Sequence, residues 1–143
     1  MKKISILMVL IFSIGIGCET GHLNDPELLD CDWILTHIQD TRTNVSTVYP
    51  ADASRSISIY FYSTSDMMFF TGECNVGAGK YGFTSLAGEI IISDIAITEI
   101  GCKYNNWESH VAHNLQNNSG YRITGNKLEI YSNSTYNLYF TRN

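Results

Sequence analysis

Positive charge is scarce in this sequence of 143 residues, which has nine lysine and arginine residues against fourteen acidic residues and a formal net charge of −5. Because binding to nucleic-acid phosphates requires a basic surface, this balance argues against a nucleic-acid partner. The chain also lacks long repeats, charge runs and low-complexity segments. Its length suits a single domain with a sizeable core.

Motifs that carry catalysis are also missing. The chain has no glycine-rich phosphate loop, no Gly-x-Ser-x-Gly and no Cys-x-x-Cys. His110 and His113 share a face of a predicted helix, but no cysteine lies at ligand spacing, and Glu108 is about 200° around the helix from His110. We therefore predict that the protein is not an enzyme and has no metal or cofactor. An unrecognised hydrolase is the least favoured alternative.

The one long apolar run lies at the N-terminus. Two lysines precede the apolar residues 4–16, and Gly17 and Cys18 follow them. This order is typical of a secretory signal, and the run is too short to span a bilayer comfortably. The Gly17–Cys18 junction resembles the bacterial lipobox, in which the cysteine carries lipid. We predict a lipoprotein signal peptide in residues 1–17 and a lipid anchor at Cys18, with plain secretion as the alternative.

A polar stretch follows the anchor and has no periodicity, so residues 18–30 are interpreted as the lipidated cysteine and a tether. These features predict a monomer in the bacterial cell envelope, lipid-anchored at the outer membrane or its periplasmic face. Contact with the membrane is expected through the anchor alone. Removal of residues 1–17 takes away two lysines and leaves seven basic against fourteen acidic residues, a formal charge of −7.

Three cysteines remain after the anchor, at Cys31, Cys74 and Cys102. Exported proteins meet an oxidising compartment, so a disulfide is expected. The number is odd, which leaves one thiol over, and the spacing does not fix which two cysteines pair.

Short segments with strand character recur along the chain between turn signals. Residues 56–62 alternate apolar and polar side chains, which is typical of a strand with one buried face. Between residues 105 and 117 the period changes, because Trp107, Val111 and Leu115 are spaced by four, as on one face of a helix. The pattern predicts an all-β fold, a small compact β-barrel of about eight antiparallel strands with one packed α-helix.

Residues 39–55 form a long polar segment between two predicted strands, and long loops of this kind often carry function. One interpretation is a disordered surface loop. The other is a binding loop held in an extended, substrate-like form, so that its ordering cost is already met, as in peptidase inhibitors. Arg42 or Val45 would then enter a specificity pocket. The candidate binding loop comprises Arg42, Thr43, Asn44, Val45, Ser46, Val48 and Tyr49.

Residues 31–141 resemble the META/HslJ-like family of small bacterial envelope proteins. Gly72-Glu73-Cys74-Asn75 is similar to the family's Gly-x-Cys-Asn element, and Gly79-Lys80-Tyr81 follows at the distance of its Gly-x-Tyr. Residues 95–102 resemble its apolar-Ala-x-Thr-x-x-x-Cys element. Other family positions are matched in order by Trp33, Glu108, Leu115, Tyr121 and residues 128–130.

The resemblance implies a META/HslJ-like β-barrel domain over residues 31–143, with no known catalytic activity. The two cysteines of the family correspond to Cys74 and Cys102, so the resemblance favours that disulfide and leaves Cys31 unassigned. The general build is also similar to that of the potempins, lipoproteins that inhibit peptidases secreted by their own cell.

We therefore predict a membrane-anchored protein-binding module, most concretely an inhibitor of a secreted peptidase of the potempin type. The alternative is an HslJ-like lipoprotein of envelope stress or maintenance that has no single tight partner.

Overall fold

A computed structural model of the chain describes residues 25–143. The predicted signal peptide, the anchor Cys18 and the first part of the tether lie outside the described residues. Nine strands and one helix follow one another in these residues: β1 (Asp32–Asp40), β2 (Ser46–Val48), β3 (Ser58–Phe61), β4 (Met67–Thr71), β5 (Val76–Phe83), β6 (Ile90–Ile97), α1 (Asn105–Gln116), β7 (Asn118–Thr124), β8 (Lys127–Ser132) and β9 (Tyr136–Arg142).

The strands form one antiparallel sheet in the order β6-β5-β4-β3-β1-β9-β8-β7, and β2 pairs with the end of β1. The sheet curls so far that its two outermost strands meet. The side chain of Asn118 in β7 donates to the carbonyl of Ile90 (2.6 Å) and accepts from the N–H of Ile92 (3.1 Å). Beside it, the N–H of Tyr121 donates to the carbonyl of Gly88 (2.7 Å). The prediction of an all-β fold with one helix is confirmed.

Strand β3 shows how the alternation of apolar and polar residues in the sequence corresponds to burial in the structure. Ile59 and Phe61 are buried, while Ser58 and Tyr60, which alternate with them, are only half-buried. Successive side chains of a strand point to opposite faces, so this alternation places every second residue in the core.

Helix α1 closes the core from one side. Val111 and Leu115 are fully buried, and Trp107 packs against the core in a half-buried position. The largest fully buried side chains lie mainly on the sheet: Trp33, Phe61, Phe70 and Phe140. Among the residues that the structure describes, no helix has the length and apolar character needed to cross a membrane.

The folded unit begins earlier than the sequence pattern suggests. Leu28 is fully buried and Leu29 is 9% exposed, so both belong to the core. The indole N–H of Trp33 donates to the carbonyl of Leu28 (2.9 Å), and the hydroxyl of Tyr121 donates to a carboxylate oxygen of Asp25 (2.9 Å). Residues 25–30, which the sequence pattern assigns to the tether, are therefore part of the packed domain.

Candidate functional site

Two features of the fold bring the candidate residues together, and the first is a corner built around Glu108. This side chain in the first turn of α1 is fully buried. One of its oxygens accepts hydrogen bonds from the N–H groups of Cys74 (2.9 Å) and Asn75 (3.3 Å), and the other accepts from the side-chain amide of Asn75. Three donors and the positive end of the helix dipole compensate the buried negative charge.

Asn75 extends this network to the segment after β6. Its side-chain oxygen accepts from the hydroxyl of Thr98 (2.9 Å) and from the N–H of Ile100 (2.7 Å), and its amide donates to the carbonyl of Ile100 (3.0 Å). Asn75 is 3% exposed, whereas Thr98 and Ile100 are exposed, so these bonds run from a buried amide to the surface. The corner between β4 and β5 is thereby fixed to both α1 and the chain that precedes it.

A disulfide joins the same two segments. Cys74 is bonded to Cys102 across 28 residues, and the half-buried Cys31 has no disulfide partner among residues 25–143. This is the pairing that the family resemblance implies.

The grouping of Cys74, Cys102 and Glu108 has the spacing of a metal site. With the sulfurs joined, however, only the carboxylate is left as a ligand, and its oxygens already accept hydrogen bonds, so these residues do not fit a metal.

Gly72 shows how tightly the corner is packed. A Cβ atom at this position would lie 2.2 Å from a carboxylate oxygen of Glu108. A side chain here would displace the buried carboxylate, so the corner requires glycine for space.

His110 and His113 are exposed on α1, whereas Glu108 is buried, so the structure does not bring these three side chains together. The corner residues serve the architecture of the domain.

The second feature is the hairpin β1–β2, which replaces most of the predicted long loop. One carboxylate oxygen of Asp40 accepts from the N–H groups of Arg42 (2.8 Å) and Thr43 (3.1 Å), and the other pairs with the Arg42 guanidinium (3.0 Å). Asn44 has φ +58° and donates its N–H to the carbonyl of Asp40 (2.9 Å). An Asx turn followed by a left-handed asparagine fixes the tip of this hairpin.

Residues 42–46 and Val48 are exposed, as a binding loop requires. Val45 and Val48 are 62% and 72% exposed, somewhat more than Leu86, Ile91 and Ile100 elsewhere on the surface, at 58–60%. Their position side by side with a strand edge, and not exposure alone, sets them apart.

Tyr49 does not fit the expectation that it belongs to the exposed binding loop. Its ring packs edge-on against Trp107 with centroids 5.4 Å apart, and its hydroxyl donates to the carbonyl of Arg55. Tyr49 is thus a core residue that anchors the end of the hairpin and does not contribute to its surface.

The outer edge of β2 carries free backbone groups. On its inner side, the carbonyl of Val45 accepts from the N–H of Asp40, and the N–H of Tyr49 donates to the carbonyl of Thr36. In an antiparallel ladder alternate residues face the partner strand, so the N–H and C=O groups of Ser46 and Val48 point away from β1. Nothing in residues 25–143 pairs with these groups. The hairpin therefore offers a short open strand edge beside two exposed valines.

The hairpin tip has a distinct pH dependence. Hydrogen bonds from the Arg42 side chain and from backbone N–H groups lower the pKa of Asp40 from 3.8 to about 2. A carboxyl group with a lowered pKa contributes stability above its unfolded pKa and loses it as the pH falls through the folded value. We expect the amide signals of Arg42 and Thr43 to titrate together with a midpoint near pH 2 in an NMR titration. Arg42→Ala is expected to raise this midpoint, and a midpoint near 4 in the unmodified chain would contradict the assignment.

Comparison with known proteins identifies the family. Residues 26–143 match the family model described as the META domain, and the chain therefore belongs to the META domain family. No match is found among curated proteins.

Two solved structures show the same fold. The NMR structure of a protein from Burkholderia xenovorans is 18% identical, with a TM-score of 0.66, and the alignment covers 81% of this chain and 83% of that one. The crystal structure of a DUF4847 family protein from Bacteroides vulgatus is 13% identical, with a TM-score of 0.62 and coverage of 81% and 94%.

Proposed function

We propose that this protein is a non-enzymatic protein-binding module, anchored in the bacterial envelope through Cys18, and that it inhibits a secreted peptidase. The single observation that carries the proposal is the hairpin β1–β2, in which exposed Val45 and Val48 stand beside the unpaired backbone edge of β2. The two similar solved structures are evidence for the fold and not for a function. The proposal therefore depends on the chemistry of this surface.

An extended polypeptide is the natural complement of such an edge. Strand addition provides main-chain hydrogen bonds for affinity, and pockets for alternate side chains provide specificity. Val45 directly precedes β2 and Val48 ends it. Because they are three positions apart in extended chain, their side chains point to opposite faces, and a cleft that encloses the strand from both faces would meet both. A peptidase cleft that binds substrates in extended form has these properties.

The rigidity of the tip favours inhibition over transient contact. The turn is held by Asp40 and by the left-handed Asn44, so the surface is ordered before binding and little conformational entropy remains to be lost. Arg42 is tied to Asp40 within the turn. We therefore assign the main contacts to the two valines, with Arg42 at the edge of the contact surface.

The test is an inhibition assay with the full chain, kept in solution by a zwitterionic detergent, against a panel of secreted metallo- and serine peptidases. We expect inhibition at micromolar concentration of the chain. The double variant Val45→Asp/Val48→Asp is expected to weaken inhibition by about 100-fold or more, because buried interface anchors contribute about 2 kcal/mol or more each.

Val76→Asp is the matched control, since Val76 is 51% exposed on β5 and lies away from the hairpin. It is expected to inhibit like the unmodified chain. Absence of inhibition across the whole panel would contradict the peptidase assignment and would favour the envelope-maintenance alternative. Equal inhibition by the double variant and by Val76→Asp would contradict the role of the hairpin.

A further inference from the structure

A groove of about 650 Å³ lies on the outer face of β1, β9, β8 and β7. Its centre is a row of four side chains that stand directly opposite one another across the four strands. His37 pairs with Tyr139, Tyr139 with Glu129, and Glu129 with Arg122. Residues that neighbour one another in such a row interact across the sheet. The groove is separate from the Glu108 corner. It begins at the hairpin, where His37 stands opposite Val48, and extends from there towards β7.

A β-bulge in β1 supplies two groove residues where a regular strand would supply one. The pairing of β1 with β9 shifts between Leu35 and His37, with Thr36 as the extra residue. Leu35 and Ile38 are buried, and Thr36 and His37 between them both line the groove. Bulges re-aim side chains in this way and are frequent next to functional sites.

The imidazole of His37 is held in one orientation. Its ring stacks on Tyr139 with centroids 4.3 Å apart. The hydroxyl of Thr36 donates its one proton to the carbonyl of Tyr139 (3.0 Å), so toward His37 Nδ1 (2.9 Å) it acts as an acceptor. Nδ1 therefore carries the hydrogen, and Nε2 is an acceptor without a protein partner among residues 25–143. Burial lowers the pKa of His37, which keeps this neutral form at pH 7.

One positively charged side chain in the groove, Lys127, has no charged partner among the described residues and is available to a ligand. Glu129 receives a hydrogen bond from Tyr139 (2.7 Å) and pairs with Arg122 (2.7 Å), so its negative charge is compensated within the protein. Lys127 lines the same groove and has no carboxylate partner among the described residues. The hydroxyl groups of Thr124 and Thr141 lie beside it in the lining. The Thr141 hydroxyl already donates to the carbonyl of Asn126 (3.3 Å) and accepts from its amide (3.4 Å). The groups left for a ligand are thus the Lys127 ammonium, the Thr124 hydroxyl, spare guanidinium donors of Arg122 and the imidazole acceptor.

We propose that this groove binds a small organic anion that carries both a carboxylate and hydroxyl groups, as an acidic sugar does. Lys127 and the spare guanidinium donors of Arg122 would hold the carboxylate, and the Thr124 hydroxyl and His37 Nε2 would bond the hydroxyls. The volume lies within the range of small-molecule sites and far exceeds the space that an inorganic ion needs. This site goes beyond the peptidase proposal and does not depend on it.

The test is an NMR titration of the ¹⁵N-labelled full chain in zwitterionic detergent with D-glucuronate, alongside D-glucose and acetate. We expect saturable shifts with glucuronate at residues 36–37, 122–129 and 139–141. Glucose lacks the carboxylate and acetate lacks the hydroxyls, so each is expected to bind at least about tenfold more weakly. Lys127→Met is expected to weaken glucuronate binding about tenfold.

Lys80→Met is the matched control, because Lys80 is also exposed but pairs with Asp94 (3.3 Å) on another part of the sheet. His37→Phe keeps a ring for stacking and removes the acceptor, so it is expected to weaken glucuronate binding and to leave acetate binding unchanged. Absence of saturable shifts with glucuronate would overturn the proposal. So would equal binding of glucose or acetate, or equal effects of Lys127→Met and Lys80→Met. None of these results depends on whether a peptidase is inhibited.

Discussion

Replacement of Glu108 by alanine is expected to lower the free energy of unfolding by about 3–5 kcal/mol, because each buried donor left without an acceptor costs about 1–3 kcal/mol. The carboxylate accepts from two backbone N–H groups and from the side-chain amide of Asn75 in a fully buried position. For a domain of this size the loss corresponds to a decrease in Tm of about 10 °C or more. Thermal unfolding followed by circular dichroism measures it.

Two further variants test whether the loss of stability comes from the missing hydrogen-bond acceptors of Glu108. Glu108→Gln keeps an acceptor for the two N–H groups but places an amide nitrogen against the amide of Asn75, so we expect an intermediate loss. Glu99→Ala removes an exposed carboxylate nearby and is expected to leave stability within about 0.5 kcal/mol. A Tm for Glu108→Ala within 2 °C of the unmodified chain would show that the network adds little to stability.

The second large effect is expected from the disulfide. The double variant Cys74→Ala/Cys102→Ala opens a loop with a sequence separation of 28 residues, and chain entropy alone then predicts a loss of about 3.5 kcal/mol. Guanidinium denaturation with and without reductant measures it, and reductant should lower the midpoint of the unmodified chain but not that of the double variant.

Cys31→Ala provides the control, because this residue is half-buried and is bonded to no other sulfur in the part of the chain that the structure describes. We expect it to retain the sensitivity to reductant. If Cys31→Ala abolished that sensitivity and the double variant did not, the bridge would be formed by other cysteines. Because Glu108 bonds the N–H of Cys74, the effects of Glu108→Ala and of the double variant should be less than additive.

Much of the fold could be predicted because its signals are local. The alternation around Ile59 and the spacing of Val111 and Leu115 each report burial within a few residues, and both segments form the predicted element. The disulfide was accessible only through the family resemblance, since spacing left the pairing open. Leu28 gave no periodic signal, because a short turn can bury a leucine without any repeating pattern.

The candidate functional surfaces were harder to predict because they depend on tertiary pairing. Strand β2 has three residues, too few to show alternation, and its hairpin is specified by Asp40 and Asn44 in the turn. The burial of Tyr49 depends on Trp107, which lies far along the chain. The groove requires the register of four strands and the bulge at Thr36, neither of which the sequence pattern specifies.

The contact between β6 and β7 has a consequence for how the domain moves. Within the described residues no backbone ladder joins these strands, and their closest approach depends on the side chain of Asn118, on one bond at Gly88 and on the missing side chain of Gly120. Separation of any other two adjacent strands requires the loss of all the backbone hydrogen bonds that pair them. Separation of β6 from β7 requires the loss of only a few bonds. We therefore expect local opening of the sheet to begin at this contact, before any pair of strands that a ladder joins.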